Sequence, residues 1–192
     1  GIFDMILEGI VTTHNEDGTV NVSPMGPEVG DDAVIHQFVL KPFDTSQTYQ
    51  NLKRSGVGVL HVTDDVLLIA CAAIGQWTAA PTIDESCGNH RLVLGDACRW
   101  YEFEVVELDE EQQRIRIQCK TTQQGELRPF WGFNRAKHAV LEAAILATRV
   151  GIMEWQEIDQ QLQHLEIIIG KTAGEQERAA FKLIQRFLAA KN

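Results

Sequence analysis

Met5-Ile6-Leu7-Glu8-Gly9-Ile10-Val11-Thr12-Thr13-His14-Asn15-Glu16-Asp17-Gly18-Thr19-Val20-Asn21-Val22-Ser23-Pro24-Met25-Gly26-Pro27 is the stretch whose reading decides the fold. Met5–Thr13 and Thr19–Val22 are rich in β-branched and apolar residues, and Asn15-Glu16-Asp17-Gly18 separates them. Asp-Gly between two such runs predicts a β-hairpin, because glycine tolerates the positive φ of the turn. Pro24 to Pro27 then break the second strand. Such a break lets a flat ligand approach the backbone closely; a plain turn accounts for the same residues equally well.

Outward from the hairpin, Ala33–Leu40 reads as a third strand ended by Lys41-Pro42. Asp44-Thr45-Ser46 supplies oxygens that cap a helix over Gln47–Arg54, which Gly56 stops. Val57–Val62 reads as a buried strand. Thr63-Asp64-Asp65 caps a short buried helix over Val66–Ala73, ended by Gly75, and Gln76–Arg91 reads as a long loop. Ala97–Leu108 and Arg114–Thr122 predict a second hairpin around Asp109-Glu110-Glu111-Gln112, with Tyr101, Phe103 and Val105 on one face and Glu102 and Glu104 on the other. After Gln123–Pro129 the period becomes helical. Arg135–Arg149 is apolar nearly all round and predicts a buried helix. Glu154–Ile169 carries Ile158, Leu162, Leu165 and Ile169 at helical spacing and stops at Gly170. Thr172-x-x-Glu175 reads as a capping box for a last helix with Ala180, Phe181, Ile184, Phe187 and Leu188 on one stripe. The expected class is α+β, with a barrel-like domain over residues 1–126 and a three-helix domain over 127–192.

Bulk properties narrow the function classes. A chain that is 44% hydrophobic and 23% charged belongs with ordinary globular proteins. No apolar run approaches the roughly 20 residues that span a bilayer, and no basic segment followed by an apolar core marks a secretory signal. A net charge of -10 repels nucleic-acid phosphates. Cys71, Cys87, Cys98 and Cys119 form no Cys-x-x-Cys pair, so no metal site is expected; scattered thiols fit a reducing cytoplasm. Gly-x-Ser-x-Gly, His-Glu-x-x-His, a Walker loop and a Rossmann glycine triplet are all missing, so no catalytic residue is assigned.

Two further segments carry chemistry. Lys41-Pro42-Phe43-Asp44-Thr45-Ser46-Gln47-Thr48 places one lysine and several hydroxyls where a strand ends and a helix begins. Free N–H groups and the positive dipole end suit a phosphate there, although ordinary capping explains the same residues. Phe130-Trp131-Gly132-Phe133-Asn134-Arg135 combines ring-stacking surface with an arginine that grips phosphate in a fork. The plain alternative is an aromatic cluster buried between domains.

Taken together, Met5–Thr13, Asp17-Gly18-Thr19, Asn21–Pro27, Thr48-Tyr49-Gln50-Asn51-Leu52, Val62-Thr63-Asp64-Asp65, Phe133–His138 and Glu142-Ala143 resemble a family of uncharacterised flavin-reductase-like proteins. That family belongs to the FMN-binding split-barrel group, with the pyridoxamine phosphate oxidases. The resemblance covers nearly the whole chain. It implies a split β-barrel followed by a small three-helix C-terminal domain, assembled as a homodimer with FMN near the subunit interface. Ser23, Pro24, Met25 and Gly26 would lie along the isoalloxazine. Lys41, Thr45, Ser46 and Thr48 would meet the phosphate, with Asn134 and Arg135 as a further carry-over. His61 departs from the pattern, since relatives often have Asn there. Members of the group also bind deazaflavin or haem, so the fold alone does not name the cofactor. The implied activity is an FMN-dependent oxidoreductase acting on an unnamed small molecule, the flavin supplying the hydride chemistry. The alternative is a non-catalytic FMN carrier or sensor.

Overall fold

In the computed structural model, which describes residues 5–88, 91–111 and 114–192, the opening stretch folds as a bent two-stranded ribbon. β1 (Met5–Ile6) leads into β2 (Gly9–His14), and β3 (Val20–Met25) leads into β4 (Glu28–Val29). β2 pairs β3 from Gly9↔Met25 to His14↔Val20. At their turn the Gly18 N–H donates to the Asn15 carbonyl at 3.0 Å, the Asn15 N–H donates to the Thr19 carbonyl at 2.8 Å, and Gly18 has φ 82°. This is the short hairpin loop that places glycine in the left-handed region, as Asp17-Gly18 predicts.

The remaining strands are β5 (Gln37–Leu40), β6 (Val57–Val62), β7 (Arg99–Asp109) and β8 (Arg116–Glu126); α1 (Gln47–Ser55) links β5 to β6. Every pairing is antiparallel, in the order β1-β4-β5-β8-β7-β6-β2-β3. The first and last places in this order belong to the two halves of one ribbon. Bending the ribbon at Leu7-Glu8 and Gly26-Pro27 therefore curls the sheet into a split barrel. Pro24 lies inside β3 instead of ending it, opposite Ile10. A terminal strand tolerates the missing donor because one of its edges has no ladder to supply. The third strand is shorter than Ala33–Leu40, and two-residue β4 is too short to show any period in the sequence.

Val11, Phe38, Leu40, Leu52, Leu60 and Phe103 fill the barrel. Phe38 and Phe103 meet edge to face at 5.1 Å. On β7, Tyr101 and Phe103 are buried and Glu104 is exposed, as the alternation predicts. The expected loop over Gln76–Arg91 carries a 3₁₀ turn, Glu85–Cys87, and a bridge from Ile83 to Leu94; its residues 89 and 90 lie outside the described residues, as does Gln112 of the second hairpin's turn.

The chain divides into two compact units, residues 1–63 with 81–129, and residues 64–80 with 130–192. The second holds α2 (Val66–Ile74), α3 (Arg135–Thr148), α4 (Trp155–Thr172) and α5 (Glu175–Ala189). α2 lies between two barrel strands in sequence, yet Val66 and Ala70 share a core with Ala139, Val140 and Ala143 of α3. The helical unit thus gathers a fourth helix from inside the strand region. α3 is covered by α2, α4 and α5 of the same chain. Two sequence expectations change. Gly170 does not stop α4, which runs on to Thr172. The capping box also forms elsewhere: the Thr172 hydroxyl donates to the Ile168 carbonyl at 2.9 Å, while Glu177 accepts from the Gly174 N–H at 2.9 Å. Among the described residues no helix is long and apolar enough to cross a membrane.

Two glycines test this packing in opposite directions. A Cβ at Gly170 would meet nothing within 4 Å, so Gly170→Ala should stabilise by roughly 0.5–1 kcal/mol in urea unfolding. A loss of stability would show that α4 ends there instead. A Cβ at Gly58 would lie 2.8 Å from Cζ of buried Phe103 and 3.2 Å from the Thr12 carbonyl. Gly58→Ala should therefore cost about 1–3 kcal/mol, the usual penalty of overpacking, and an unchanged midpoint would contradict the close approach of β6 and β7.

Candidate functional site

Two side-chain ties bring the ribbon to the β5–α1 junction. At one, Asn21 Nδ2 donates to Thr48 Oγ1 at 3.0 Å. At the other, Lys41 Nζ pairs with Glu28 Oε1 at 2.5 Å. Between them, residues 22–27 and 42–47 share no backbone ladder among the described residues. This seam is the split of the barrel. Ser23, Pro24 and Met25 are half-buried on its ribbon side and Gly26 is exposed; Lys41 and Thr45 are exposed on the other.

The helix side of the seam begins at a capped helix start. Ser46 caps α1, its Oγ accepting from the Tyr49 N–H at 3.1 Å, and its carbonyl accepts from the Gln50 N–H at 3.2 Å. The N–H groups of Gln47 and Thr48 have no acceptor among the described residues. The first turn of α1 carries no acidic residue, while Lys53 and Arg54 sit at its last turn, so the positive end of the dipole is left uncompensated. Thr45 and Lys41 are exposed just before this helix start, as is Asp44, and Lys41 is paired with Glu28. Thr48 itself is 1% exposed, and its hydroxyl already accepts from Asn21.

The aromatic segment and its polar neighbours lie in the helical unit. Asn134 caps α3, its Oδ1 accepting from the Lys137 N–H at 3.1 Å, and its Nδ2 donates to the Thr172 carbonyl at 3.0 Å. Its side chain is therefore spent on structure, whereas Arg135 is exposed on the first turn. Lys137 is also engaged: its ammonium contacts Glu177 at 2.7 Å and the Asp64 carbonyl at 2.9 Å. Trp131 and Phe133 are 84% and 97% exposed, so a buried aromatic cluster does not form. The Trp131 N–H donates to Asp64 Oδ2 at 2.6 Å and fixes the backbone that presents these rings.

Sequence reasoning passed over Asn21, Asn51 and Glu28 as site residues. The signal was present: asparagine is a poor residue for a strand interior or a helix middle, and both asparagines occupy such places.

A bent ribbon closing an antiparallel sheet, in a chain that also carries a helical unit, defines an α+β split-barrel fold. The chain belongs to the DUF447 family of proteins of unknown function: the model of that family's N-terminal domain matches residues 7–128, and the model of its C-terminal part matches residues 134–186. An FMN-bound DUF447 protein from Methanosarcina mazei is similar in structure, with TM-score 0.78 and 23% identity over 97% of each chain. The styrene monooxygenase flavin reductase of Pseudomonas putida S12 is similar over the barrel, with TM-score 0.51 and 13% identity, covering 62% of this chain and 77% of its own. No curated protein matches by sequence.

His61 departs from the residue often found in the resembling family, but its polar contacts are complete. The ring is fully buried on β6, with Nδ1 3.1 Å from the Ile10 carbonyl and Nε2 accepting from the Leu94 N–H at 3.0 Å. Nδ1 therefore carries the proton. Burial pushes the pKa from its ordinary 6.5 down to about 4, against the opposing pull of the Ile10 and Leu92 backbone contacts. Between those values the unfolded chain binds a proton that the folded chain refuses, so this group weakens the fold as pH falls from about 6.5 towards 4. At pH 5 the loss should be on the order of 2 kcal/mol. Urea unfolding of the parent and of His61→Asn at pH 7 and pH 5 isolates it, because the carboxylates titrate alike in both. Equal losses in the two proteins would overturn the assignment.

Proposed function

We propose that this chain binds FMN and works as a flavin-dependent oxidoreductase on a small molecule. The observation that carries the reading is shared family and fold: the likeness to an FMN-bound DUF447 protein extends over 97% of the chain, and the barrel also resembles a flavin reductase. FMN, when bound, supplies hydride transfer, which agrees with a seam built from donors and backbone instead of an acid–base pair.

The donor set fits the ligand. A phosphate close to doubly charged gains nothing at long range from a chain of net charge -10, so local groups must hold it. The N–H groups of Gln47 and Thr48, the Thr45 hydroxyl and Lys41 supply donors, while Ser46 keeps the helix end in place. Ser23 to Gly26 offer a half-exposed strand edge to the flat ring. Lys41 must be shared with Glu28, so its contribution is smaller than that of an unpaired lysine. Arg135, exposed in the helical unit, is a second phosphate candidate.

We also place the protein in the cytoplasm, in keeping with its four free cysteines, and assign it a homodimer. Cover for the apolar α3 does not require a second copy, because the chain covers that helix itself. The exposed run of Phe130, Trp131 and Phe133 does, since contiguous exposed aromatics mark contact surfaces.

The first test is binding. Micromolar FMN should bind with a perturbed flavin absorbance band; no binding, or only a haem-type band on the purified protein, would overturn the cofactor. Thr45→Ala should weaken FMN about 10-fold, given roughly 1.5 kcal/mol for a hydrogen bond to a charged group, and leave riboflavin nearly unaffected. Ser46→Ala measures the cap itself and should lower folding stability in urea by about 1 kcal/mol. Anaerobic bleaching by NADH or NADPH faster than that of free FMN supports catalysis, and its absence favours a carrier. Light scattering should return about twice 21.5 kDa; the monomer mass at micromolar protein would refute the dimer.

A further inference from the structure

The inner face of α1 is unusual for a helix packed on a barrel. Tyr49 and Leu52 enter the apolar core, but Thr48 and Asn51 are also fully buried, and they meet the β2–β3 hairpin through hydrogen bonds. Thr13 Oγ1 is the hub. It accepts from Asn51 Nδ2 at 2.9 Å and from Asn21 Nδ2 at 3.3 Å. Asn21 also donates to Thr48 Oγ1, and Asn51 to Asn15 Oδ1 at 2.8 Å. Asn51 Oδ1 accepts from Gln47 Nε2 at 2.9 Å and from an Arg54 nitrogen at 3.2 Å. Each strand of the hairpin is thus bonded to a residue of the helix.

We propose that Thr13, Asn21, Thr48 and Asn51 form a positioning clamp that aims the N-terminus of α1 at the phosphate end of the seam, and that the Thr48 hydroxyl acts through this clamp instead of touching the ligand. The proposal rests on the FMN reading above. Buried hydrogen bonds add little net stability over apolar packing but are strict in direction and costly to leave unmade. They therefore suit the setting of a helix's rotation better than the holding of the helix on the barrel. Two asparagines accepted against local propensity, both in this one network, agree with a functional constraint. The ring side of the seam is part of β3 itself and needs no such aim. The clamp should accordingly govern the phosphate and spare the ring.

Dissociation constants for FMN and riboflavin test this in the parent, Thr48→Val, Thr48→Ser and Asn21→Ala, with melting temperatures alongside. The parent should prefer FMN. Thr48→Val and Asn21→Ala should each cut that preference about 10-fold while riboflavin affinity moves less than about two-fold. Thr48→Ser, which keeps the hydroxyl, should restore it. The double variant should be no worse than Asn21→Ala alone, because that change already removes the bond to Thr48. An unchanged preference in both single variants, or equal weakening of both ligands in step with melting temperature, would reduce the network to packing. If Thr48→Val does not fold, Asn21→Ala alone decides, since Asn21 is only half-buried. A parent without preference for FMN overturns the phosphate site, and the clamp with it; a parent that prefers FMN beside indifferent variants overturns only the clamp.

Discussion

One ribbon has to serve both ends of one sheet, and the rest of the molecule follows from that constraint. β2 needs partners on both edges and finds β3 and β6; β4 needs them too and finds β1 and β5. The ribbon satisfies all of these only by bending at Leu7-Glu8 and Gly26-Pro27. Glycines stand where neighbouring strands leave no room for a side chain. A Cβ at Gly26 would lie 2.9 Å from Ile6 Cγ2, and one at Gly9 would lie 3.0 Å from the His61 carbonyl. Past the bend β4 pairs with β5 but β3 does not, so the seam is the residue of closing the barrel with a bent ribbon, and no separate element has to create it.

In the proposed reading, the seam offers an anion a place on an acidic chain. At a net charge of -10 its surface gains nothing by long-range attraction, and Asp44 and Glu28 stand close to the candidate donors. What the junction offers is directional: backbone N–H groups at a capped helix start, with the basic residues of α1 kept at its far end. Burial has the opposite use at His61. There two backbone contacts hold a neutral ring that takes a proton only near pH 4, which makes it a brace between β2 and the segment around Leu94.

The helical unit is held by a different balance. Its core is made of small and aliphatic side chains, with alanines letting α2 and α3 approach closely. The Lys137–Glu177 pair crosses this unit from α3 to α5, and Lys137 also reaches the Asp64 carbonyl just before α2. Burial alone would raise the Glu177 pKa. Hydrogen bonds from Lys137 and from the Gly174 N–H outweigh it and leave the carboxylate below its usual range, so the pair stays charged at neutral pH.

Much of this was legible in the residues. Asp17-Gly18 determined the first hairpin because few residues accept its turn. Alternation along Tyr101–Val105 determined which face of β7 is buried, and the hydroxyls before Gln47 determined where α1 begins. These are local constraints, and local sequence expresses them. Tertiary structure decided the rest. Val66–Ile74 is apolar on every side, so its own pattern could not say whether sheet or helices would cover it. Gly170 reads as a stop unless neighbouring turns hold the helix through it. Trp131 and Phe133 read as core, yet both are exposed, and Phe133 stacks only on the ring of His138. Asn21 and Asn51 read as poor choices for their elements until the bent ribbon sets Thr13 between them; an amide's value depends on the partner it meets, and only the closed barrel brings that partner within reach.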